Sequence, residues 1–375
     1  MSIVFYVSGH GFGHASRVIE VVNALLARRP DLAVQVRTTA ARWLFEVTVR
    51  GPVTYVHGET DTGVVQRDSL QPDLEATAAR AREFYEAFDA HAMREAAWLR
   101  AVGPRLVVTD MPPLALAAAD AAEVPVVAMG NFTWDWIYED YAEWLGPAAW
   151  IPALIRSTHR FAEEAWRLPM HGGFDGFRRV VDLPFVARHS HREAGEVRAR
   201  LGIAGTRPAV LVSFGGFGLE SMGLDLLARL GEYEFIVTEG SLVPKGERLA
   251  GAATTRRGNV VSVNEHAWYG EGWRYEDLVK AADVVVTKPG YGIISECLAN
   301  DAAIVYTSRG RFLEYDVLVE ALPNTVRSAF ISNEDLLAGR WEAALQAALT
   351  CPRPLVREAT DGAEFAADRL LSFLV

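Results

Sequence analysis

Cysteine, long apolar runs and clusters of basic residues are all scarce in this sequence. Its two cysteines, Cys297 and Cys351, lie far apart without a CxxC spacing, which argues against a disulfide framework and fits a reducing cytoplasm. No run of about 18 apolar residues indicates a membrane span. Residues 1–5 have neither the basic region nor the long apolar core of a signal peptide. We therefore expect a cytoplasmic protein without a transmembrane segment.

Positive charge is also in deficit. The chain has 37 lysine and arginine residues against 48 acidic ones, a net charge of −11, and the basic residues are scattered. Because nucleic-acid binders usually present a basic face, we expect no nucleic-acid partner. Half of the 375 residues are hydrophobic, so the chain can bury large cores. Its length suits two domains of about 150–200 residues each. The protein could also form a homo-oligomer.

Short apolar runs alternate with helical patterns over most of the chain. The runs lack polar alternation, which is typical of parallel strands covered on both faces. The predicted strands are residues 3–7, 33–37, 53–56, 106–109, 126–129, 209–213, 235–238, 260–263, 284–287 and 303–306. The strand–helix pattern occurs twice, so we predict an α/β protein of two doubly wound, Rossmann-like domains that face a cleft.

Helical patterns and turn residues suggest where these domains end. The predicted helices are residues 15–28, a long or broken helix at 72–102, a charged helix at 191–201 and an amphipathic helix at 360–375. A strand-like stretch ends at Pro184, and a turn with glycine and proline follows the charged helix. We expect a first domain, a linker, a second domain and a carboxyl-terminal helix at residues 1–185, 186–205, 206–355 and 356–375.

Three glycine-rich turns follow predicted strands, where parallel sheets bind their ligands. The first, Ser-Gly-His-Gly-Phe-Gly-His, spans residues 8–14 and opens a helix, whose free amides suit an anion. It departs from a dinucleotide fingerprint because His14 stands at the third glycine, and no Gly-Lys-Ser/Thr of a Walker loop follows. A tight strand–helix turn without a ligand is the alternative.

The other two turns lie in the second half. Residues 213–218 form Ser-Phe-Gly-Gly-Phe-Gly, and residues 288–296 form Lys-Pro-Gly-Tyr-Gly-Ile-Ile-Ser-Glu. In the latter, several amides gather at a helix start, where a diphosphate fits the positive end of the dipole. Glu296, one turn into that helix, could accept hydrogen bonds from a ribose diol. The alternative for Glu296 is a solvated helix residue.

These motifs resemble those of GT-B glycosyltransferases, and among them the bacterial transferase that adds N-acetylglucosamine in peptidoglycan synthesis. A likeness over nearly the whole chain is to the amino-terminal, glycosyltransferase-like half of L-arabinokinases. The segments that carry it are residues 6–17, 61–68, 131–138, 182–201 and 288–296. The sugar-kinase half of those proteins has no counterpart in this sequence, so the resemblance implies no kinase activity.

The resemblance implies inverting transfer from a nucleotide sugar, usually a UDP-sugar, without an obligatory metal or a cofactor. The second domain would bind the donor, with Glu296 on the ribose. Glu314 would stand in for the acidic residue of an acidic-Gln pair that is not evident here. The remaining donor-side candidates are Gly290, Tyr291 and Gly292 at the diphosphate, with Gly215, Gly216 and Lys288 near the donor.

The first domain would bind the acceptor, an unidentified small molecule or glycan. His14 is the candidate base, because neutral histidine accepts protons near neutral pH and a helix start disfavours its cationic form. A structural hydrogen bond is the alternative. A metal pair of His10 and His14 lacks a third ligand at a familiar spacing, so we expect no metal. The other acceptor-side candidates are His10, Gly11, Gly13, Asp61, Asp110, Asp135 and Trp134, although aromatic runs are more often core.

Two other functions stay open on the sequence alone. A sugar-nucleotide epimerase or hydrolase could use the same scaffold, with water or the sugar itself in place of the acceptor. A non-catalytic module could bind nucleotide sugars with the second-domain turns and would not need His14. Fold analogy does not decide among these functions.

Overall fold

The computed structural model describes residues 1–215, 224–238 and 252–374. Two parallel α/β sheets of seven strands each follow one another along the chain, which confirms the predicted fold class. The first sheet, in the order β3-β2-β1-β4-β5-β6-β7, is parallel throughout. Its strands are β1 Ser2–Val7, β2 Ala33–Thr38, β3 Val53–His57, β4 Leu106–Asp110, β5 Val126–Phe132, β6 Glu164–Gly172 and β7 Val180–Asp182.

The second sheet has the order β10-β11-β9-β8-β12-β13-β14, and its edge strand β10 runs antiparallel to β11. Its strands are β8 Ala209–Ser213, β9 Glu234–Thr238, β10 Thr254–Arg257, β11 Val260–Val263, β12 Val284–Thr287, β13 Ala303–Thr307 and β14 Ser328–Ile331. All ten predicted strands are present. The strand-like stretch that ends at Pro184 contains β7. The sequence missed β6, β10 and β14, which lie at or beside sheet edges and are too polar or too short to show a buried run.

Helices cover both faces of the sheets. Those of the first half are α1 Gly13–Arg28, α2 Arg42–Thr48, α3 Leu74–Glu86, α4 Phe88–Val102, α5 Pro113–Ala122, α6 Trp134–Asp140, α7 Ala142–Leu145 and α8 Ile151–Thr158. Short 3₁₀ turns span Gly146–Ala148 and His159–Phe161. The predicted long helix is broken at Ala87, where α3 ends and α4 begins.

The later helices include the predicted charged helix, which is shorter than expected, and the predicted carboxyl-terminal helix. They are α9 Ala194–Arg200, α10 Leu224–Ala228, α11 Glu265–Gly270, α12 Tyr275–Ala281, α13 Tyr291–Asn300, α14 Glu314–Thr325, α15 Asn333–Ala338, α16 Glu342–Thr350 and α17 Gly362–Ser372. Over the described residues, none of the helices is both long and apolar enough to cross a membrane.

The carboxyl-terminal helix α17 returns to the first half of the chain. Arg28 at the end of α1 donates to Asp368 of α17 over 2.6 Å. The backbone amide of Phe185 donates to the carbonyl of Ala359 over 3.0 Å, so the segment that enters the second half and the segment that leaves it run side by side. The limits at residues 185, 205 and 355 remain our proposal for the domain division.

Candidate functional site

A cavity of about 350 Å³ lies between the two halves and is lined by the turns that follow β1, β5, β8, β12 and β13. A second cavity of about 140 Å³ adjoins it. Residues Gly13, Ser213, Gly215 and Gly292 line both. In parallel sheets the carboxyl ends of the strands carry the ligand sites, and both cavities lie there.

Two helices begin at this cleft, one from each half. A Cβ placed on Gly292 in α13 would lie 3.8 Å from the Cα of Gly13 in α1, so the two helix starts nearly touch. A Cβ on Gly13 or Gly290 would meet nothing within 4 Å, which leaves room beside their amides. Gly11 has a φ of +69°, a conformation that favours glycine. The positive ends of two helix dipoles therefore face the same space, which suits an anion.

His14 occupies the first turn of α1 and lines the larger cavity. Its Nδ1 lies 3.0 Å from Oδ1 of Asp110, at the end of β4, and 3.0 Å from a terminal nitrogen of Arg17. Arg17 also donates two hydrogen bonds to Asp110. Its Nε lies 2.6 Å from Oδ2, and a terminal nitrogen donates to Oδ1. Asp110 is fully buried, so it lies behind His14 rather than in the cavity.

The charges of this cluster support an ionised Asp110. Burial opposes ionisation of the carboxyl, but the charge of Arg17 and the hydrogen bonds from Arg17 and His14 outweigh it and hold the pKa of Asp110 below its usual value. Burial likewise opposes the charge of Arg17, yet Asp110 raises the pKa of that guanidinium. A buried charge pair of this kind is stable only when well hydrogen-bonded, as it is here.

The same cluster crosses to the second half of the chain. Arg17 donates to Oδ1 of Asn131 over 2.6 Å, and Nδ2 of Asn131 donates to Oε1 of Glu314 over 2.7 Å. Glu314 begins α14 and lines the cavity with Arg17 and Asn131. A continuous polar network therefore connects His14 with a carboxylate on the opposite wall.

Glu296 lines the smaller cavity rather than the larger one. It is 4% exposed, and Arg188 binds it with Nε at 2.6 Å and a terminal nitrogen at 2.5 Å. Burial raises the pKa of Glu296 to about 7, although the charge of Arg188 lowers it. The rings of Trp43, Tyr269 and Tyr275 line the same cavity. A carboxylate beside aromatic rings is suited to a nucleoside.

Lys288 and Arg309 line the larger cavity on the side of the second sheet. Burial, helped by the charge of Arg309, lowers the pKa of Lys288 to about 7. Burial also lowers the pKa of Arg309, whose nearest carboxylate oxygen, on Glu314, is 3.9 Å away. These groups form a basic wall beyond the start of α13.

His10, Asp61 and Trp134 form a cluster beside His14. Trp134 donates from its indole nitrogen to Asp61 over 3.0 Å, and Nε2 of His10 lies 3.2 Å from the same carboxylate. The indole ring stacks on the rings of His14 and Tyr138, with centroid distances of 6.3 and 5.9 Å. Trp134 also lines the larger cavity, whereas Asp61 is buried and does not.

The side chains of two other candidates are bound by neighbouring residues. Asp135 is buried against α8, where Arg156 donates to it over 2.9 Å, and it does not line the cavity. The ring of Tyr291 stacks on Phe185, and its hydroxyl accepts from the amide of Val186 over 3.0 Å. Only the backbone of Tyr291 can therefore reach a diphosphate.

Gly215 has a φ of +70° and lies in both cavity walls. Gly216 lies outside the described residues. Over the part of the chain that the structure describes, histidine, cysteine and carboxylate side chains form no group of three or more that could hold a metal.

Sequence reasoning missed Arg17, Asn131, Arg188 and Arg309. A signal existed for Arg17, which stands three residues after His14 and therefore on the same face of α1. Asn131 opens residues 131–138, one of the segments that carry the resemblance. No local sequence pattern predicts Arg188 or Arg309 as site residues. The partner of Arg188, Glu296, is 108 residues away, and the partner of Arg309, Glu314, lies across a loop.

Comparison with known proteins supports this picture of the fold. The sequence is 32% identical over 373 residues to L-arabinokinase of Arabidopsis thaliana; the match covers 97% of this chain and 33% of the relative, so the chain spans about a third of the relative's length. No protein-family model matches the chain.

Solved structures superpose along almost the entire chain. The glycosyltransferase of kitacinnamycin has a TM-score of 0.61 at 17% identity, covering 99% of this chain and 98% of its own. UGT2 of Phytolacca americana, solved with UDP-2-fluoro-glucose and pterostilbene, has a TM-score of 0.57 at 14% identity and coverages of 99% and 93%. MurG of Acinetobacter baumannii has a TM-score of 0.51 at 13% identity, with 99% of each chain covered. The chain has the GT-B glycosyltransferase fold, as its motifs predicted.

Proposed function

We propose that this protein is a glycosyltransferase that moves a sugar from a nucleoside diphosphate, UDP in the first instance, to an acceptor hydroxyl, with inversion and without a metal. The observation that carries the proposal is the pairing of His14 and Asp110 on one wall of the cleft, opposite the start of α13. The GT-B fold and a relative named for a sugar kinase support a sugar substrate.

The donor's nucleoside occupies the smaller cavity in this proposal. The ribose hydroxyls donate to Glu296, which Arg188 holds in place, and the base lies among the aromatic side chains. The diphosphate then reaches the amides of Gly290, Tyr291 and Gly292, because the two cavities adjoin at the start of α13. The start of a helix carries roughly half a positive charge, which stabilises that anion.

His14 acts as the general base. An ionised Asp110 accepts the Nδ1 proton of the imidazole, and this tautomer leaves Nε2 free to accept a proton. The acceptor oxygen gives its proton to Nε2 as it forms a bond to the anomeric carbon. The bond from that carbon to the diphosphate oxygen breaks on the opposite face, and the configuration inverts.

The departing nucleoside diphosphate gains negative charge as this bond breaks. The amides of α13 and the ammonium group of Lys288 stabilise that charge, so the protein's own groups supply what a metal supplies elsewhere. The acceptor lies toward the first sheet, next to His10 and His14.

A panel of nucleotide sugars tests the proposal. The protein is incubated with UDP-, TDP- and GDP-linked sugars, with and without candidate acceptors, and released nucleoside diphosphate is measured. Release that requires an acceptor and inverts the anomeric centre supports transfer. Release in water alone would favour a hydrolase, and tight binding without any turnover would favour a binding module.

A further inference from the structure

The smaller cavity has walls from both halves of the chain. The second half contributes Glu296 and Tyr269, among others, and the first half contributes Phe12, Gly13, Ser16, Trp43 and Leu44. The ring centroid of Trp43 lies 5.9 Å from that of Tyr269 in α11, which is the usual distance for aromatic rings in contact. A ligand in this cavity therefore contacts both halves.

Ser16 carries a buried hydroxyl without a partner. It is the fourth residue of α1, and its backbone amide donates to the carbonyl of Phe12 over 2.8 Å, so its side chain is the group that remains for a ligand. Ser16 is 6% exposed, and among the described residues its Oγ has no hydrogen-bond partner. A buried hydroxyl in this state is unfavourable. It gains from an acceptor that enters the smaller cavity, and turning toward that acceptor breaks no existing bond.

The position of Ser16 indicates which part of a nucleotide it meets. Ser16 lines the smaller cavity but not the larger one, whereas Gly13 lines both. Because residues three apart lie on one face of a helix, Ser16 follows the junction of the two cavities on the side of the nucleoside. The α-phosphate of a nucleoside diphosphate is attached directly to the ribose. It therefore occupies this position when the ribose is bound at Glu296.

The α-phosphate needs a neutral donor at this point. Arg188 lines the same cavity, but its guanidinium is bound to Glu296, with Nε at 2.6 Å. Ser16 lies in the first turn of a 16-residue helix, near the positive end of its dipole, and a hydrogen bond to a charged oxygen is stronger than one to a neutral oxygen. We propose that the hydroxyl of Ser16 donates to the α-phosphate of the donor, so that both halves hold the nucleotide; this step rests on the proposed function.

Calorimetry with uridine, UMP and UDP tests the role of Ser16, on the native protein, Ser16→Ala and Ser8→Ala. Ser16→Ala should bind uridine like the native protein, and UMP and UDP about 10- to 100-fold more weakly, as expected for one hydrogen bond to a charged group. Ser8→Ala is the matched control. Ser8 is also a buried serine whose Oγ has no partner among the described residues, yet it lines neither cavity. This variant should bind all three ligands like the native protein.

Unchanged affinities in Ser16→Ala overturn the proposal. So does an equal loss for all three ligands, which would place the hydroxyl on the nucleoside, and a loss for UDP alone, which would place it on the β-phosphate. Binding of UMP and UDP without transfer from any nucleotide sugar refutes the proposed function, while the affinities of Ser16→Ala for UMP and uridine still decide the role of Ser16. If the native protein binds none of the three, titrations with guanosine, GMP and GDP decide it. Binding in neither series overturns both proposals.

Discussion

Glu296 offers the sharpest test of the donor site, through the substitution Glu296→Gln. The carboxylate is buried and held by two short bonds from Arg188, so it cannot turn away from the smaller cavity. Glutamine has nearly the same shape and keeps one acceptor oxygen for Arg188. The substitution therefore removes the charge while it leaves the packing in place.

The magnitude follows from the two hydroxyls of a ribose. Hydrogen bonds to a charged group contribute about 1.5–3 kcal/mol each, against about 0.5–1.5 kcal/mol for neutral ones. Losing the charge should weaken UDP binding by about 1–3 kcal/mol, or roughly 5- to 150-fold in Kd. Glu296→Ala should weaken UDP binding at least as much, with an added loss of stability because Arg188 loses its partner.

Burial raises the pKa of Glu296 to about 7, which adds a pH dependence. Only the ionised carboxylate accepts both hydroxyl protons, so the affinity for uridine should fall as the pH is lowered through 7. Uridine is the right probe because it lacks the diphosphate. In Glu296→Gln this dependence should disappear.

Glu276→Gln is the matched control. Glu276 is also a buried carboxylate near Arg188, at 3.8 Å, but it does not line the smaller cavity. Calorimetry should show near-native UDP affinity for this variant. Equal losses in both variants, or an unchanged affinity in Glu296→Gln, would refute the placement of the ribose.

Three further predictions concern the larger cavity. Burial lowers the pKa of Lys288 to about 7, so UDP should bind with proton uptake and lose affinity as the pH rises above 7. Calorimetry in buffers of different ionisation enthalpy measures this, and Lys288→Met should remove it. Asn131→Ala breaks the bonds to Arg17 and to Glu314, so kcat should fall by about 2- to 13-fold for each bond, at about 0.5–1.5 kcal/mol per hydrogen bond, with little change in UDP affinity. Exhaustive chelation should leave turnover unchanged; a loss restored by manganese or magnesium would contradict metal-independent transfer.

The sequence predicted the interior of each sheet well, for a physical reason. A strand covered on both faces must be apolar throughout, and β1 and β12 are such strands. Edge strands do not carry that signal: β10 is Thr-Thr-Arg-Arg and mostly exposed. The carboxyl-terminal helix also followed from a local pattern, whereas the sequence left open whether the helix at 72–102 is broken and did not place the break at Ala87.

The candidate site was less accessible from the sequence. Positions that follow strands were expected at the cleft, and His14, Lys288 and Glu314 do line it. The same rule suggested Asp135, whose side chain instead pairs with Arg156 of α8. Side-chain direction depends on tertiary partners, which is also why the contact of Arg188 with Glu296 had no local signal.

The central claim, that this cleft transfers a sugar with His14 as base, is tested most directly by the kcat of His14→Ala with an active nucleotide-sugar donor. A general base contributes a factor of roughly 10²–10⁴, so kcat should fall by about that much. UDP affinity should stay nearly constant, because the proposed nucleoside site is by Glu296, on the other wall. An unchanged kcat, or losses of turnover and UDP affinity in equal proportion, would contradict the claim and make His14 a structural residue of its turn.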